Sequence, residues 1–116
     1  RLVLMNRSEL QQVLINLIVN AIHAMPDGGT LTLRSFDAER DGNPGIAIEV
    51  ADTGIGMRED VVEKVFDPFF TTKRREGTGL GLSISQTLVK RQHGQITAES
   101  EPGKGSTFRV WLPEAD

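Results

Sequence analysis

Between Leu10 and Met25 the chain carries no formal charge and is apolar on nearly every side of a helical projection. A helix of that composition belongs inside a protein, so the fold must provide cover for it. Ser8 followed by Gln11 has the spacing of a capping box and predicts that the helix runs from Glu9 to Met25. The stop comes at Pro26-Asp27-Gly28-Gly29. At about 100° per residue, Gln12, Asn16, Asn20 and His23 fall in one narrow sector of this helix. Asn16 and Asn20 are neighbours one turn apart. A buried amide without a partner costs about 1–3 kcal/mol, so the stripe either bonds to main chain or lines a polar cavity. In the second case its amide oxygens are hard ligands, suited to a magnesium ion that also grips phosphates. For the helix alone, main-chain bonding is the simpler reading.

The remaining elements follow from periodicity. Leu2, Val3 and Leu4 read as the tail of a strand, and Thr30 to Ser35 alternates as a half-buried strand. The polar stretch from Asp37 to Gly45 predicts a hairpin loop. Ile46, Ile48 and Val50 then share one face of a strand, and by the same count Asp52 closes that face with a carboxylate. Between Thr53 and Thr78 the pattern loses its period, apart from a short helix near Glu59 to Val65. Leu80 to His93 is helical again, with Gly94 as its left-handed cap. Two strands follow, Gln95 to Ser100 and Ser106 to Leu112, with Phe108, Val110 and Leu112 on one face. This order predicts one α+β domain over residues 1–116, with helices on one face of a mixed, largely antiparallel sheet.

Composition narrows the function. With no cysteine, and only His23 and His93 as histidines, neither a disulfide framework nor a zinc site is expected. A net charge of −3 gives no global field for nucleic acid, and the one dense basic run is Lys73-Arg74-Arg75. No apolar run approaches the roughly 18 residues of a membrane span, and no signal peptide is expected. A cytoplasmic domain that does not itself insert into a membrane fits these features.

Two glycine clusters carry the chemistry. Asp52-Thr53-Gly54-Ile55-Gly56 directly follows a strand, where glycines let a flat ligand approach the main chain and the carboxylate can accept a hydrogen bond from an exocyclic amine. A plain turn is the competing reading. Gly77-Thr78-Gly79-Leu80-Gly81-Leu82 runs into a helix start, where free N–H groups and the helix dipole favour phosphate. It lacks the Lys-Ser/Thr ending of a P-loop, and a flexible hinge explains it equally well. Between the clusters, Val65 to Lys73 holds three of the five phenylalanines, the composition of a lid pinned at one end. Lys73 is either a phosphate ligand or part of a solvated face.

In content, order and spacing these elements resemble the catalytic, ATP-binding domain of histidine kinases, a branch of the GHKL superfamily. Gln12 to Ala21 is similar to the N box, Asp52 to Gly56 to the first glycine box, and Phe66 to Lys73 to the F box. Gly77 to Leu82 is similar to the second glycine box, and Pro102 to Pro113 to the closing hairpin. In wording, the F box and the second glycine box resemble nitrogen-regulation-type sensor kinases most. The resemblance implies the Bergerat fold, an α/β sandwich with an ATP lid, and ATP and Mg2+ as ligands. It implies that Asn20 binds magnesium with help from Asn16, that Asp52 holds the adenine amine, and that Gly54, Gly56 and Met57 flank the base. It also implies phosphate contacts from Lys73, Thr78, Gly79, Leu80, Gly81 and Leu82, with His23 and Ser106 bordering the nucleotide. Catalysis would fall to Asn16, Asn20 and Lys73 through positioning and charge neutralisation.

Hydrolytic relatives such as gyrase B carry a glutamate base where this chain has Asn16, and an amide cannot activate water. The resemblance therefore implies transfer of the γ-phosphate to a histidine rather than rapid hydrolysis. Neither His23 nor His93 sits in the family's phosphoacceptor motif, so the acceptor is expected on a separate helical dimerisation domain. The implied partners are that domain and a downstream response regulator. The implied states are a monomer for this domain and a homodimer, open to membrane anchoring, for a full-length kinase. A nucleotide-sensing pseudokinase and an anti-sigma-type serine kinase of the same superfamily are the competing functions.

Overall fold

The computed structural model describes residues 5–67 and 81–114. Lys73, Thr78, Gly79, Leu80 and the predicted strand tail at Leu2 to Leu4 lie outside the described residues. Helix α1 spans Arg7–His23, strand β1 Leu31–Arg40, strand β2 Asn43–Asp52, helix α2 Glu59–Val62, helix α3 Gly81–Lys90, strand β3 Gln95–Glu101 and strand β4 Gly105–Pro113. The strands form one sheet in the order β1-β2-β4-β3, and every pairing among the described residues is antiparallel. Helices cover one face of it, as the α+β reading expected. Among the described residues no helix is long and apolar enough to cross a membrane.

The core forms where α1 and α3 meet that covered face. Val13, Leu17 and Ala21, one turn apart on α1, join Val89 of α3 and Val50, Ile96, Phe108, Val110 and Leu112 of the sheet. The predicted face of β2 is confirmed by register, with Ile46, Ile48, Val50 and Asp52 opposite Leu112, Val110, Phe108 and Ser106. Full burial of such aliphatic and aromatic side chains stabilises by about 1.5–3 kcal/mol each. Val65 is buried beyond α2, and Phe66 meets Phe108 edge-to-face with ring centroids 6.0 Å apart. The described end of the phenylalanine-rich segment is therefore pinned to the core.

Several sequence expectations are corrected. Helix α1 begins two residues before Glu9, because the Asn6 carboxamide accepts from the N–H groups of Ser8 and Glu9 at 2.8 and 3.2 Å and caps it ahead of Ser8. The helix is not buried all round: Ile15, Val19 and Ile22 form an exposed row on the side away from the sheet. The loop expected from Asp37 to Gly45 is instead strand on both sides of a tight Asp41-Gly42 turn. Both turn residues have positive φ, 51° and 82°, the mirror-image geometry that matches strand twist. The flanking residues are polar because β1 is an edge strand whose side chains are mostly exposed or half-buried.

The uncovered face has its own small cluster. Glu49 is 6% exposed there and receives Arg109 Nε at 2.7 Å, a second contact from the Arg109 guanidinium, and Arg34 at 3.4 Å. Both guanidinium groups also lie over the Phe36 ring, at 5.1 and 5.8 Å from its centroid. Trp111 crosses β2 to donate its indole N–H to Ala38 O at 3.0 Å, and Gly45 leaves room beneath the ring.

The end of α3 also departs from expectation. His93, not Gly94, takes the left-handed conformation, with φ 63°. Gly94 is glycine because an added Cβ would sit 2.4 Å from Trp111 O. Amide bonds from His93 to Lys90 O and from Gly94 to Val89 O close the helix in the Schellman pattern. A β-carbon in this conformation is strained by roughly 1 kcal/mol, so His93→Gly should stabilise the fold by about 0.5–1 kcal/mol. A higher urea midpoint at unchanged slope would show it.

Candidate functional site

The polar end of the core lies where the C-terminal half of α1, the end of β2, the start of α3 and the start of β4 come together. Its centre is Asp52, a carboxylate 6% exposed. Asp52 Oδ1 accepts from Gly54 N at 2.9 Å and Ser106 N at 3.3 Å, which ties the turn after β2 to the neighbouring strand. Asp52 Oδ2 is buried and has no hydrogen-bond partner among the described residues. Buried acceptors are normally satisfied, and leaving one bare costs about 1–3 kcal/mol. An N–H donor arriving from outside the protein would remove that cost.

The loop after Asp52 is stitched in place by main chain. Ile55 N donates to Ala24 O at 2.9 Å, and Gly103 N donates to Ile55 O at 2.7 Å. Met57 N donates to Ser100 Oγ at 2.7 Å, and the Ser100 and Ser106 hydroxyls lie 2.7 Å apart. The Ser106 hydroxyl is thus engaged by Ser100, while its amide serves Asp52. Thr53 Oγ1 accepts from Thr30 N at 2.9 Å and fastens the loop to the entry of β1.

The two glycines of this loop have a reason that sequence reading missed. A Cβ at Gly54 would stand 2.2 Å from Ala24 O, and one at Gly56 would stand 2.0 Å from Glu101 O. Gly56 also has φ 71°. Close main-chain packing therefore requires both glycines whether or not a ligand approaches them. The signal was present in the spacing, but the backbone that fills the space comes from distant parts of the chain.

The amide stripe divides. Asn16 Nδ2 donates to Gly81 O at 3.0 Å and Ser85 Oγ at 3.1 Å, while its Oδ1 accepts from Gln12 Nε2 at 2.9 Å. Asn16 is therefore occupied by protein. The Asn20 side chain, half-buried one turn later, makes no hydrogen bond to another described residue. His23 closes the helix as its last residue, also half-buried. Gly81 and Leu82 open α3, and Leu82 packs against the core. An added Cβ at Gly81 would find its nearest described neighbour in the Asn16 side chain, at an ordinary contact distance of 3.7 Å, so packing against the described residues does not demand this glycine. The cleft lined by Asn43, Gln92, His93 and Trp111 lies at the opposite end of the sheet and contains none of the predicted site residues.

Residues 5–116 match the family described as histidine kinase-, DNA gyrase B-, and HSP90-like ATPase. Sporulation kinase E of Bacillus subtilis (strain 168) is 44% identical over 108 residues, which cover 91% of this chain and 14% of that protein. The chain thus spans about one seventh of that relative. The nucleotide-free catalytic domain of histidine kinase ThkA superposes with a TM-score of 0.80 at 36% identity, covering 95% of this chain and 69% of that one. The full-length structure of ShkA in complex with AMPPNP superposes with a TM-score of 0.81 at 31% identity, covering 97% of this chain and 23% of that one.

The steric reading of the loop has a direct consequence. Gly54→Ala should destabilise the protein by about 1–3 kcal/mol through overpacking against the end of α1, with or without nucleotide. Chemical denaturation of the ligand-free protein measures it, and an unchanged midpoint would refute that packing.

Proposed function

The chain belongs to the histidine kinase-, DNA gyrase B-, and HSP90-like ATPase family as a histidine-kinase catalytic domain, and from that premise we propose that it binds Mg-ATP in the cleft around Asp52 and passes the γ-phosphate to a histidine on a separate dimerisation domain. The observation that carries this reading is the bare, buried Asp52 Oδ2. The exocyclic amine of adenine supplies the donor it lacks, while Oδ1 stays fixed by Gly54 and Ser106. Base recognition then comes at little reorganisation cost, since the carboxylate is already held in orientation.

The phosphate end is formed by α3 and α1. The opening turn of α3 has N–H groups without intrahelical partners and the positive end of a helix dipole, both suited to phosphate oxygens. Gly81 keeps that approach open, and its packing against the described residues would not by itself forbid a side chain there. The Asn20 carboxamide, without a partner among the described residues, fits magnesium, a hard cation that takes one or two protein oxygens and completes its shell with water and phosphate. Magnesium, when bound, supplies the positive charge that the γ-phosphoryl group needs as it departs. The chain's own residues hold the nucleotide, orient its phosphates and keep a hydrolytic base away, because the stripe offers amides and no carboxylate. In the transfer itself an imidazole nitrogen of the partner domain forms a bond to γ-phosphorus while the β,γ-bridging P–O bond breaks and ADP leaves. The exposed row of Ile15, Val19 and Ile22 offers that partner an apolar contact on the outer side of the helix layer. A response regulator would then take the phosphoryl group from the histidine.

Two measurements test this reading. Asp52→Asn keeps an acceptor for Gly54 and Ser106 but turns the free oxygen into a donor, so calorimetry should show adenine-nucleotide affinity reduced by about tenfold or more in a folded protein. Unchanged affinity would remove Asp52 from base recognition. When the chain is mixed with a histidine-bearing dimerisation domain and labelled ATP, acid-labile phosphohistidine is the expected product. Nucleotide binding without labelling would identify a sensor instead, and acid-stable phosphoserine on a partner would identify a serine kinase.

A further inference from the structure

Ser85 is fully buried, carries a hydroxyl, and has no part in the nucleotide contacts just described. Its Oγ donates to Gly81 O at 2.8 Å and receives Asn16 Nδ2 at 3.1 Å. Asn16 Nδ2 also reaches Gly81 O at 3.0 Å, so side chains from two helices close on one carbonyl. A carbonyl can only accept, which fixes the orientation of the Asn16 amide: nitrogen toward α3, oxygen toward Gln12. Gln12 lies one turn toward the start of α1, whereas Asn20 lies one turn the other way.

The carbonyl of Gly81 shares a rigid peptide plane with the N–H of Leu82, and the two point in opposite directions. Holding the carbonyl between Asn16 and Ser85 therefore sets where the Leu82 N–H points, out of the open end of α3. At the far end of the same helix pair the tie is an ion pair from Arg91 to Glu9 at 3.7 Å, with the arginine largely in solvent. Such pairs contribute little, whereas the Asn16 contact ties α1 directly to the first residue of α3, which Leu82 also anchors to the core.

We propose that Asn16 and Ser85 are positioning residues, which lock the Gly81 peptide so that the opening turn of α3 presents its N–H groups to the nucleotide's phosphates, and that Asn16 serves this lock rather than the metal. The proposal rests on the nucleotide reading and changes the role of one residue within it. Loss of the lock weakens contacts to phosphate, leaves base recognition at Asp52 intact, and does so equally with and without magnesium.

The test compares wild type, Asn16→Asp and Ser85→Ala by calorimetric titration with adenosine, with ADP in EDTA, and with ADP plus magnesium. Asn16→Asp separates the two roles by sign. A carboxylate is a better magnesium ligand than an amide, so a metal role predicts retained or tighter binding with magnesium. The lock predicts the reverse, because the aspartate cannot donate to Gly81 O. Ser85→Ala removes a buried hydroxyl without adding charge and keeps the test sound if the aspartate variant fails to fold. The expected result for Ser85→Ala is an about fivefold loss of ADP affinity in both EDTA and magnesium, with adenosine unchanged. A loss confined to magnesium would return Asn16 to the metal, an equal loss for adenosine would reduce the pair to general packing, and no loss at all would remove the lock. Wild type that binds none of the three ligands would overturn the nucleotide reading itself, a result distinct from all of these.

Discussion

Val13, Leu17 and Ala21 occupy one line along α1, and the covered face of the sheet meets the helix along that line. This seam fixes the rotation of α1 about its axis, and rotation decides which neighbours the remaining side chains reach. With the aliphatic line down, Asn16 is directed to α3 and Asn20 is left without a partner among the described residues, while Ile15, Val19 and Ile22 face solvent. A shift of one residue in that packing would turn every one of these groups by about 100°. The candidate site therefore depends on a hydrophobic seam buried in the core.

The uncovered face solves a different problem. A sheet with one open side leaves main chain and apolar side chains near water, and here the answer is a buried carboxylate under two arginines. Glu49 sits low between β1 and β4, Arg34 and Arg109 reach it from either side, and both lie over Phe36. Each arginine is exposed by half or more, so the charges keep most of their hydration while their planar groups cover the ring. Trp111 covers the adjoining part of β2 in the same way, with its indole N–H satisfied by Ala38.

Much of this organisation was legible in the sequence. The faces of β2 and β4 followed from alternation, and the place of Asp52 at the mouth of the sheet followed from the same count. The hairpin was foreseen, but its strands were stopped short of the Asp41-Gly42 turn because the residues around it are polar at a sheet edge, although that dipeptide is itself a strong hairpin signal. The exposed row on α1 was missed because periodicity cannot separate a face that packs inside the chain from one left outside. The Glu49 cluster gave no signal at all, since Arg109 lies 60 positions from Glu49 and neither residue stands in a recognisable motif. Likewise, the spacing of Gly54 and Gly56 was visible, but the carbonyls of Ala24 and Glu101 that exclude a side chain were not.

Those two glycines, with Gly105 packed 2.0 Å from Asp52 O at its would-be Cβ, build the wall beside Asp52 from main chain pressed on main chain. A surface of that kind offers the same atoms whatever residues flank it. A small molecule entering beside Asp52 meets hydrogen-bonding groups in fixed places but little to tell one such surface from another. Selectivity for this molecule has to be won farther out, where the exposed Ile55 side chain borders the same loop.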